Sequence, residues 1–312
     1  MDPRLFLLNL LLRLTVKRKL KRLEDPLVLR ALMERDASRL VPTPDAHFVD
    51  DLMRRPGEPR KVGMIEALWA SCGRPDRRKV ALHLHGGAYL AGSPRTHKHL
   101  GAAIAGAAGV RVVLPHYRRA PEHPFPAALD DALAAYRHLL AAGYTPEEIA
   151  VGGDSAGGGL AFALSLKLQA EGDPQPACLY GLSPWADLTG QAPSIRRNAT
   201  RDAMLPAGRM PEVAAMYLSG HDEADPLASP AFGTWTTPPP SLLMASKREI
   251  LMDDALRLAE RLRDAGGDVQ LELWRGVPHA WPIFRGRIAQ ADKAVAKVGS
   301  FIAHHLKAEP GI

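Results

Sequence analysis

The stretch that decides the fold is VGGDSAGGGLAFALSLKL, residues 151–168. Small residues surround Ser155, an apolar strand-like segment precedes it, and an apolar helical segment follows it. The pattern Gly153-x-Ser155-x-Gly157 between a strand and a helix is typical of a nucleophile elbow, a sharp turn that presents a serine hydroxyl. A plain glycine-rich turn is the alternative. A phosphate-binding loop is disfavoured because no Gly-Lys-Ser/Thr follows.

Strand-like and helical segments alternate on both sides of this turn. Such alternation predicts an α/β fold with a mostly parallel sheet and helices on both faces. We predict strands at 47–52, 62–69, 80–84, 110–114, 149–152, 177–183, 241–245 and 269–274. We predict helices at 96–108, 126–141, 156–170, 252–265 and 287–306. Functional residues should directly follow strands, because ligands of such sheets bind beyond the carboxyl ends of the strands.

One long segment interrupts the alternation. Residues 186–240 are rich in Pro, Arg and Gly and contain one plausible helix, near 208–218. An insertion of this length in a compact domain is usually a lid or a binding element, and a passive surface excursion is the alternative. Together with the N-terminal helices, it predicts a small cap over the carboxyl edge of the sheet.

The N-terminal segment LFLLNLLLRLTVKRKLKRL, residues 5–23, is both apolar and basic. It is too short and too interrupted to span a bilayer, and its charges lie at the wrong end for a signal peptide. Apolar residues at three- and four-residue spacing predict an amphipathic helix: Leu5, Leu8, Leu12, Val16, Leu20 and Leu23. We expect its apolar face to pack on the domain. Contact with a membrane surface and closure of a ligand pocket are the alternatives.

Composition indicates a globular enzyme-sized protein rather than a nucleic-acid binder. The 312 residues are 46% hydrophobic and 24% charged, with a net charge of +6. Residues 1–40 hold ten Lys/Arg against five Asp/Glu, so the rest of the chain is close to neutral, which argues against a nucleic-acid surface. The two cysteines, Cys72 and Cys178, form neither a metal-spaced pair nor a disulfide framework. We therefore expect a cytoplasmic protein without a bound metal.

A serine nucleophile needs a base to take its proton. On a strand–turn–helix elbow the order along the chain is serine, then acid, then histidine. The histidines of the last part of the chain are His279, His304 and His305. His304 and His305 lie in the last helical segment, where they are ordinary surface residues, whereas His279 follows strand 269–274. We predict His279 as the base.

The acid of the triad should follow strand 241–245 and precede His279. Glu249, Asp253 and Asp254 are the candidates. Helix capping and the helix dipole account for Asp253 and Asp254, whereas Glu249 lies in the loop before their helix. We predict Glu249 as the acid, with Asp253 next. It would orient His279 and stabilise the imidazolium that forms during catalysis.

Backbone amides free of large side chains suit an oxyanion hole. The segment LHLHGGAYLAGS, residues 82–93, follows a predicted strand and contains Gly86 and Gly87. We predict that the N–H groups of Gly86, Gly87 and Ala156 bind the oxyanion, each contributing about 3 kcal/mol of transition-state stabilisation. His85 precedes the acid in the chain, so we expect it to fix this loop rather than act as the base.

These residues together resemble the bacterial esterase branch of the hormone-sensitive-lipase family of α/β-hydrolases, over about residues 45–306. The matching motifs are HGGAY (85–89), HYRRAPEHPFPAALDDA (116–132), GDSAGG (153–158), LSPWADLT (182–189), DPLASP (225–230) and GVPHAW (276–281). The resemblance implies an α/β-hydrolase fold with an eight-stranded sheet and a helical cap. It also implies hydrolysis of short- to medium-chain carboxylic esters, no cofactor, and frequent homodimers.

Two positions depart from the family pattern. Ala88 stands where the family usually has the last glycine of its oxyanion loop, which predicts a stiffer loop. Glu249 stands where the family usually has an aspartate, and a glutamate can perform the same role.

The resemblance also divides the chain. We expect N-terminal cap helices in residues 1–45, a catalytic domain in residues 46–185 and 225–312, and a cap insertion in residues 186–224.

Five residues are the candidates for substrate binding near the cleft: Tyr89, Asp154, Trp185, Met210 and Tyr217. For each apolar one, core packing is the alternative, and Asp154 has the alternative role of anchoring the oxyanion loop. A Met-rich cap suggests an adaptable acyl pocket.

We thus predict a serine carboxylesterase that acts on small esters through an acyl-enzyme. A lactonase or amidase with the same triad, and a non-catalytic small-molecule-binding protein on the same fold, are the alternatives.

Overall fold

A computed structural model describes residues 2–22, 25–40, 42–55 and 63–308, and for residues 36–40 it describes the backbone only. Within these residues, eight strands form one central sheet. The strands are β1 (His47–Arg54), β2 (Met64–Ser71), β3 (Asp76–Leu84), β4 (Val110–Pro115), β5 (Ile149–Asp154), β6 (Cys178–Leu182), β7 (Ser241–Ser246) and β8 (Val269–Trp274). Their spatial order is β1-β2-β4-β3-β5-β6-β7-β8. β2 runs antiparallel to β1 and β4, and the pairs from β4 to β8 are parallel.

All eight predicted strands are confirmed, as is the mostly parallel sheet. Residue 62 of the predicted second strand lies outside the described residues. The central strands β3, β5, β6 and β7 are apolar at successive positions because helices cover both faces of a parallel sheet. Their carboxyl ends therefore form one edge, where the loops that follow β3, β5, β7 and β8 meet.

Helices cover the two faces of this sheet. They are α4 (Pro94–Ala108), α5 (Ala127–Ala141), α6 (Ala156–Glu171), α9 (Met252–Asp264) and α10 (Ala289–Leu306). The apolar side chains on one face pack with α5, α6 and α9, and those on the other face pack with α4 and α10. All five predicted helices are confirmed.

The N-terminal segment forms more than the one helix that its apolar spacing predicts. It forms α1 (Pro3–Leu14) and α2 (Val16–Arg22), and a third helix, α3 (Pro26–Leu40), comes after it. The break lies at Thr15, whose hydroxyl donates to the Leu11 carbonyl at 2.7 Å, a bond that bends helices. Leu23 of the predicted pattern lies outside the described residues. Within the described residues, no helix combines the length and apolar content needed to cross a lipid bilayer.

The segment between β6 and β7 carries two short helices. They are α7 (Pro193–Arg197), which sequence spacing did not indicate, and α8 (Met210–Leu218), which confirms the helix predicted near 208–218. Tyr217 of α8 is buried in the same apolar cluster as α5 and α6. This segment is therefore packed onto the domain rather than a free excursion.

Candidate active site

Ser155 lies at a strained turn between β5 and α6. Its backbone has φ 54° and ψ −122°, a conformation that costs free energy for any residue with a Cβ. A Cβ on Gly153 or Gly157 would overlap the Leu84 carbonyl at the end of the neighbouring strand β3. Glycine at both positions thus lets the elbow pack directly against β3, which explains the small residues around the serine.

Three side chains that are far apart in the sequence form one hydrogen-bonded chain. His279 Nε2 lies 2.8 Å from Ser155 Oγ, and His279 Nδ1 lies 2.6 Å from Glu249 Oε2. Glu249 follows β7 and His279 follows β8, so both lie at the carboxyl edge of the sheet. Glu249 and His279 are buried, whereas Ser155 is partly exposed.

Glu249 is itself held in place. The Ser246 N–H donates to Glu249 Oε1 at 2.6 Å, and this leaves Oε2 for His279. Burial on its own lowers the pKa of His279, but the hydrogen bond to Glu249 and the charge of Glu249 outweigh it and raise that pKa above its usual value. The environment therefore favours an imidazolium at position 279.

The other two acid candidates serve the chain that follows β6. Asp253 Oδ2 accepts a hydrogen bond from the Ser194 N–H at 2.8 Å. Asp254 Oδ2 accepts hydrogen bonds from the N–H groups of Ala186 and Asp187, both at 3.0 Å. The expectation that they cap their own helix was wrong, because α9 has no side-chain cap at its N-terminus. Neither carboxylate is paired with His279.

The loop after β3 supplies backbone N–H groups beside the elbow. Leu84 of β3 pairs with Gly153 of β5, so residues 85–90 lie next to Ser155 in the fold. Gly87 has φ 129° and Ala88 has φ 57°, so the loop turns sharply at these two residues. Among the described residues, the N–H groups of Gly87 and Ala88 have no acceptor. Ala156 begins α6, and the first N–H groups of a helix have no intrahelical acceptor.

The prediction that Gly86 donates to an oxyanion was wrong. The Gly86 N–H donates to Asp154 Oδ1 at 3.1 Å, so that hydrogen is already bound inside the protein. Ala88, which was predicted only to stiffen the loop, is the residue with a free donor instead. Residue spacing could not reveal this, because the choice depends on where each N–H points within one turn.

Asp154 lies in a buried cluster beneath this loop. Its Oδ1 is 3.2 Å from His83 Nε2 and its Oδ2 is 3.3 Å from His97 Nε2. Burial alone raises the pKa of Asp154, but the charge of His97 and the hydrogen bonds from both histidines hold it well below its usual value. Burial alone lowers the pKa of His97, but Asp154 raises it overall. The geometry therefore favours a buried Asp154–His97 ion pair.

This cluster overturns the prediction that Asp154 touches substrate. Its side chain is buried, and both oxygens are already bound to the protein. The alternative role, anchoring the oxyanion loop through Gly86, is the one that the structure supports. His83 and His97 were missed as its partners because nothing in their sequence spacing links them to residue 154.

His85 fixes the same loop, as its position before the acid predicted. Its ring stacks on Tyr117 with centroids 4.1 Å apart, and its Nδ1 lies 2.9 Å from the Gly86 carbonyl. The Tyr117 hydroxyl donates to the His85 carbonyl at 2.6 Å.

The aromatic pocket candidates pack beside the elbow. The rings of Tyr89 and Tyr217 stack with centroids 3.7 Å apart. The backbone N–H of Trp185 donates to the Ser155 carbonyl at 2.9 Å, so the backbone at Trp185 contacts the turn that carries Ser155. These side chains and Met210 are buried in one apolar cluster. Their burial agrees with the alternative of core packing, and the backbone of Trp185 is the part of this set that contacts Ser155.

Comparison with known proteins gives consistent matches across most of the chain. Residues 81–283 match a family model described as the alpha/beta hydrolase fold. An acetyl-hydrolase of Streptomyces hygroscopicus is 41% identical over 247 residues, 79% of this chain and 82% of that protein. An ethyl acetate hydrolase of Pseudomonas putida is 34% identical, covering 72% of this chain and 73% of that protein.

Solved structures agree with these matches. The crystal structure of an esterase from the bacterial hormone-sensitive lipase family is 36% identical and superposes with a TM-score of 0.89, covering 98% of this chain and 99% of that one. The crystal structure of EstE5 soaked with ethyl alcohol gives a TM-score of 0.90 at 32% identity, covering 99% of this chain and 100% of that one.

Proposed function

This chain belongs to the α/β-hydrolases and, within them, to the bacterial hormone-sensitive-lipase family of carboxylesterases, and on that premise we propose that Ser155, His279 and Glu249 are its catalytic triad. One observation carries the proposal: Ser155 Oγ, His279 and Glu249 are joined by hydrogen bonds of 2.8 and 2.6 Å. Distances of this size allow a proton to move from the hydroxyl to the imidazole as the nucleophile attacks.

In acylation, Ser155 Oγ attacks the ester carbonyl carbon and its proton passes to His279 Nε2. The negative charge develops on the carbonyl oxygen, where the N–H groups of Gly87, Ala88 and Ala156 bind it. The intermediate then collapses. The C–O bond to the alcohol breaks, Nε2 returns the proton to the departing alcohol oxygen, and the acyl group remains on Ser155 as an ester.

Deacylation repeats these steps with water as the nucleophile. His279 takes a proton from water, the hydroxide oxygen adds to the acyl carbon, and the second collapse releases the carboxylic acid and restores the Ser155 hydroxyl. Glu249 holds the ring and stabilises the imidazolium in both halves, which agrees with the raised pKa of His279.

We propose that the substrates are small esters of short- to medium-chain acids. The family pattern of the motifs implies this acyl range, and the acyl pocket would lie beside Ser155, where Trp185 and its buried apolar neighbours adjoin the elbow. The printed names of two relatives, an acetyl-hydrolase and an ethyl acetate hydrolase, support the lower end of the range. Residues 1–45 and 186–224 would form the cap over this pocket, on the catalytic domain of residues 46–185 and 225–312.

Substitution of the nucleophile tests the triad. Ser155→Ala should lower kcat for p-nitrophenyl acetate by about 10⁶-fold, because within the described part of the chain Ser155 is the hydroxyl that contacts His279 Nε2. Ser300→Ala, an exposed serine on α10, is the matched control and should keep full activity. A fluorophosphonate should add one adduct mass to the wild type and none to Ser155→Ala. Turnover by Ser155→Ala above a tenth of wild type would refute the assignment.

The acyl range needs its own measurement. A series of p-nitrophenyl esters from acetate to palmitate should give the highest kcat/KM at acetate to hexanoate and a steep fall beyond. A maximum at palmitate would contradict the proposed range while leaving the triad intact.

A further inference from the structure

Helix α1 is apolar on two opposite sides, and the protein covers only one of them. The inner side carries Leu5 and Leu12, which are buried against the domain. The outer side carries five large apolar residues: Phe6 at 58% exposed, Leu7 at 62%, Leu10 at 41%, Leu11 at 48% and Leu14 at 47%. Their spacing of one, three, one and three residues places them on one face of the helix. We call this set the outer face of α1.

The domain fixes α1 in this orientation. Asn9 Nδ2 donates to the Gly276 carbonyl at 2.9 Å. Beyond the end of the helix, Lys17 Nζ donates to the carbonyls of Ala199 and Asp202 at 2.8 and 2.6 Å. With the inner side held at both ends, the outer face cannot rotate inward to bury its leucines.

Positive charge surrounds the outer face. Residues 3–22 contain seven Lys/Arg and no Asp/Glu. Exposed cations among them are Arg4, Arg13, Arg18, Lys21 and Arg22.

We propose that α1 and α2 dock the enzyme on an anionic lipid surface. A helix that lies in a lipid interface buries an apolar face among the acyl chains and places Lys and Arg beside the anionic headgroups, and this segment offers both on its exposed side. A second copy of the chain fits less well. A two-fold dimer through the outer face would bring two acid-free cationic segments together, and like charges across an interface repel.

Docking would also bring the candidate active site close to the lipid. α1 contacts Gly276, three residues before His279 in the chain. If the proposed function holds, the enzyme would then take esters that partition into the lipid surface. The docking itself does not depend on the triad, so binding is the measurement that tests it.

The first test is co-sedimentation of the full chain with lipid vesicles. The wild type should pellet with vesicles of phosphatidylcholine containing about 30 mol% phosphatidylglycerol and bind pure phosphatidylcholine at least about tenfold more weakly. Binding should fall as salt is raised to about 0.5 M, because salt screens the headgroup attraction.

Paired variants separate the apolar and ionic contributions. Leu7→Ser with Leu11→Ser should weaken binding to anionic vesicles at least about tenfold, because it removes two inserting side chains. The control is Val49→Ser with Leu52→Ser, which changes two equally exposed apolar residues of β1 (61% and 53%) and should bind as wild type.

The ionic contribution is tested by Arg18→Glu with Lys21→Glu, which should also weaken binding to anionic vesicles. The control is Arg77→Glu with Arg78→Glu, on exposed positions of β3, which should leave binding unchanged.

Three results would overturn the proposal. The first is equal binding to neutral and anionic vesicles, and the second is unchanged binding by Leu7→Ser with Leu11→Ser. The third is sedimentation velocity showing a wild-type dimer that this variant converts to monomer, which would make the outer face a contact between copies. Ser155→Ala should bind vesicles as wild type, and Leu7→Ser with Leu11→Ser should keep the wild-type free energy of unfolding in urea, because both leucines are exposed. A failed triad and a failed docking surface are thereby distinguished.

Discussion

The carboxylate of Glu249 determines the pH range in which His279 is neutral and able to accept a proton. Burial disfavours the charged ring, whereas the 2.6 Å contact with Glu249 favours it, and the second effect is larger. A base with a raised pKa is protonated, and therefore inactive, over a wider range of acid pH. If Glu249 and His279 act as proposed, the contact that supports catalysis would also limit the enzyme at low pH.

The pH profile tests this balance. Wild-type kcat/KM should fall as the pH drops through the pKa of His279, with a midpoint above about 6.5, the ordinary value for histidine. In Glu249→Gln the charge is lost and burial remains, so the midpoint should move to lower pH, while kcat falls by about 10⁴-fold. The measurement is p-nitrophenyl acetate hydrolysis from pH 5 to 9, a range of about four units around that pKa.

Asp253→Asn is the matched control for this substitution. Asp253 contacts Ser194 rather than His279, so the variant should keep its activity within about threefold and its acid midpoint unchanged. An inactive Asp253→Asn together with an active Glu249→Gln would show that Asp253, and not Glu249, is the acid. A flat acid limb in the wild type would remove His279 as the base.

At the level of elements, the loop between β3 and α4 is shaped by the charge beneath it. Asp154 ends β5, receives the Gly86 N–H, and contacts His83 at the end of β3 and His97 on α4. This one carboxylate thereby joins two strands and a helix. It also orients the turn in which the N–H groups of Gly87 and Ala88 have no acceptor among the described residues. The direction of these N–H groups thus depends on a buried ion pair beneath the loop.

Removal of that carboxylate should destabilise the fold. Asp154→Ala leaves a buried histidine cation and the Gly86 N–H without their partner, so the free energy of unfolding should fall by about 3–5 kcal/mol. Urea denaturation followed by tryptophan fluorescence measures it. A loss below about 1 kcal/mol would mean that the ion pair contributes little.

Asp154→Asn separates the charge from the hydrogen bond, because it keeps an acceptor for Gly86. The raised pKa of His97 stabilises the wild type at pH values where His97 is protonated, and this contribution disappears as the pH rises through that pKa. The lowered pKa of Asp154 keeps the carboxylate ionised throughout this range. The stability difference between wild type and Asp154→Asn should therefore be larger at pH 6 than at pH 9. An equal difference at both values would exclude the charged pair.

Sequence patterns predicted the elements well and the contacts inside loops poorly. The strands, the long helices and the order of Ser155, Glu249 and His279 follow from periodicity and chain order, which are local or topological properties. The free donor at Ala88, the bound donor at Gly86 and the partners of Asp154 depend on the direction of single N–H groups and on side chains from three elements. No spacing in the sequence encodes those directions.

At the level of the whole molecule, helices α2 and α3 contact parts of the candidate site that are far apart in the sequence. Lys17 of α2 binds the carbonyls of Ala199 and Asp202, and the Asp202 carboxylate receives the Ile250 N–H beside Glu249. Arg30 of α3 donates to the Leu90 carbonyl, in the loop that carries the free amides. Lys17 and Arg30 therefore brace the two sides of the candidate site.

Lys17 tests this bracing. Lys17→Ala leaves the Asp202 carbonyl buried without its donor, so the free energy of unfolding should fall by about 1–3 kcal/mol. Lys21→Ala removes an exposed lysine of the same helix and should change it by less than about 0.5 kcal/mol. Equal stability of the two variants, measured in urea, would show that the Lys17 contacts do not brace the domain.

The hydrogen bond between Asn9 and Gly276 joins residues 267 positions apart, and this matters while the protein is being made. A ribosome that adds about 5–20 residues per second needs roughly 15–50 s to pass from one partner to the other. During that interval α1 has been made but its partner around Gly276 has not, so the inner leucines lack the complete surface that later covers them. The inner leucines of α1 therefore stay uncovered until the residues after β8 have been made, and during synthesis α1 is a segment to which a chaperone for apolar nascent chain could bind.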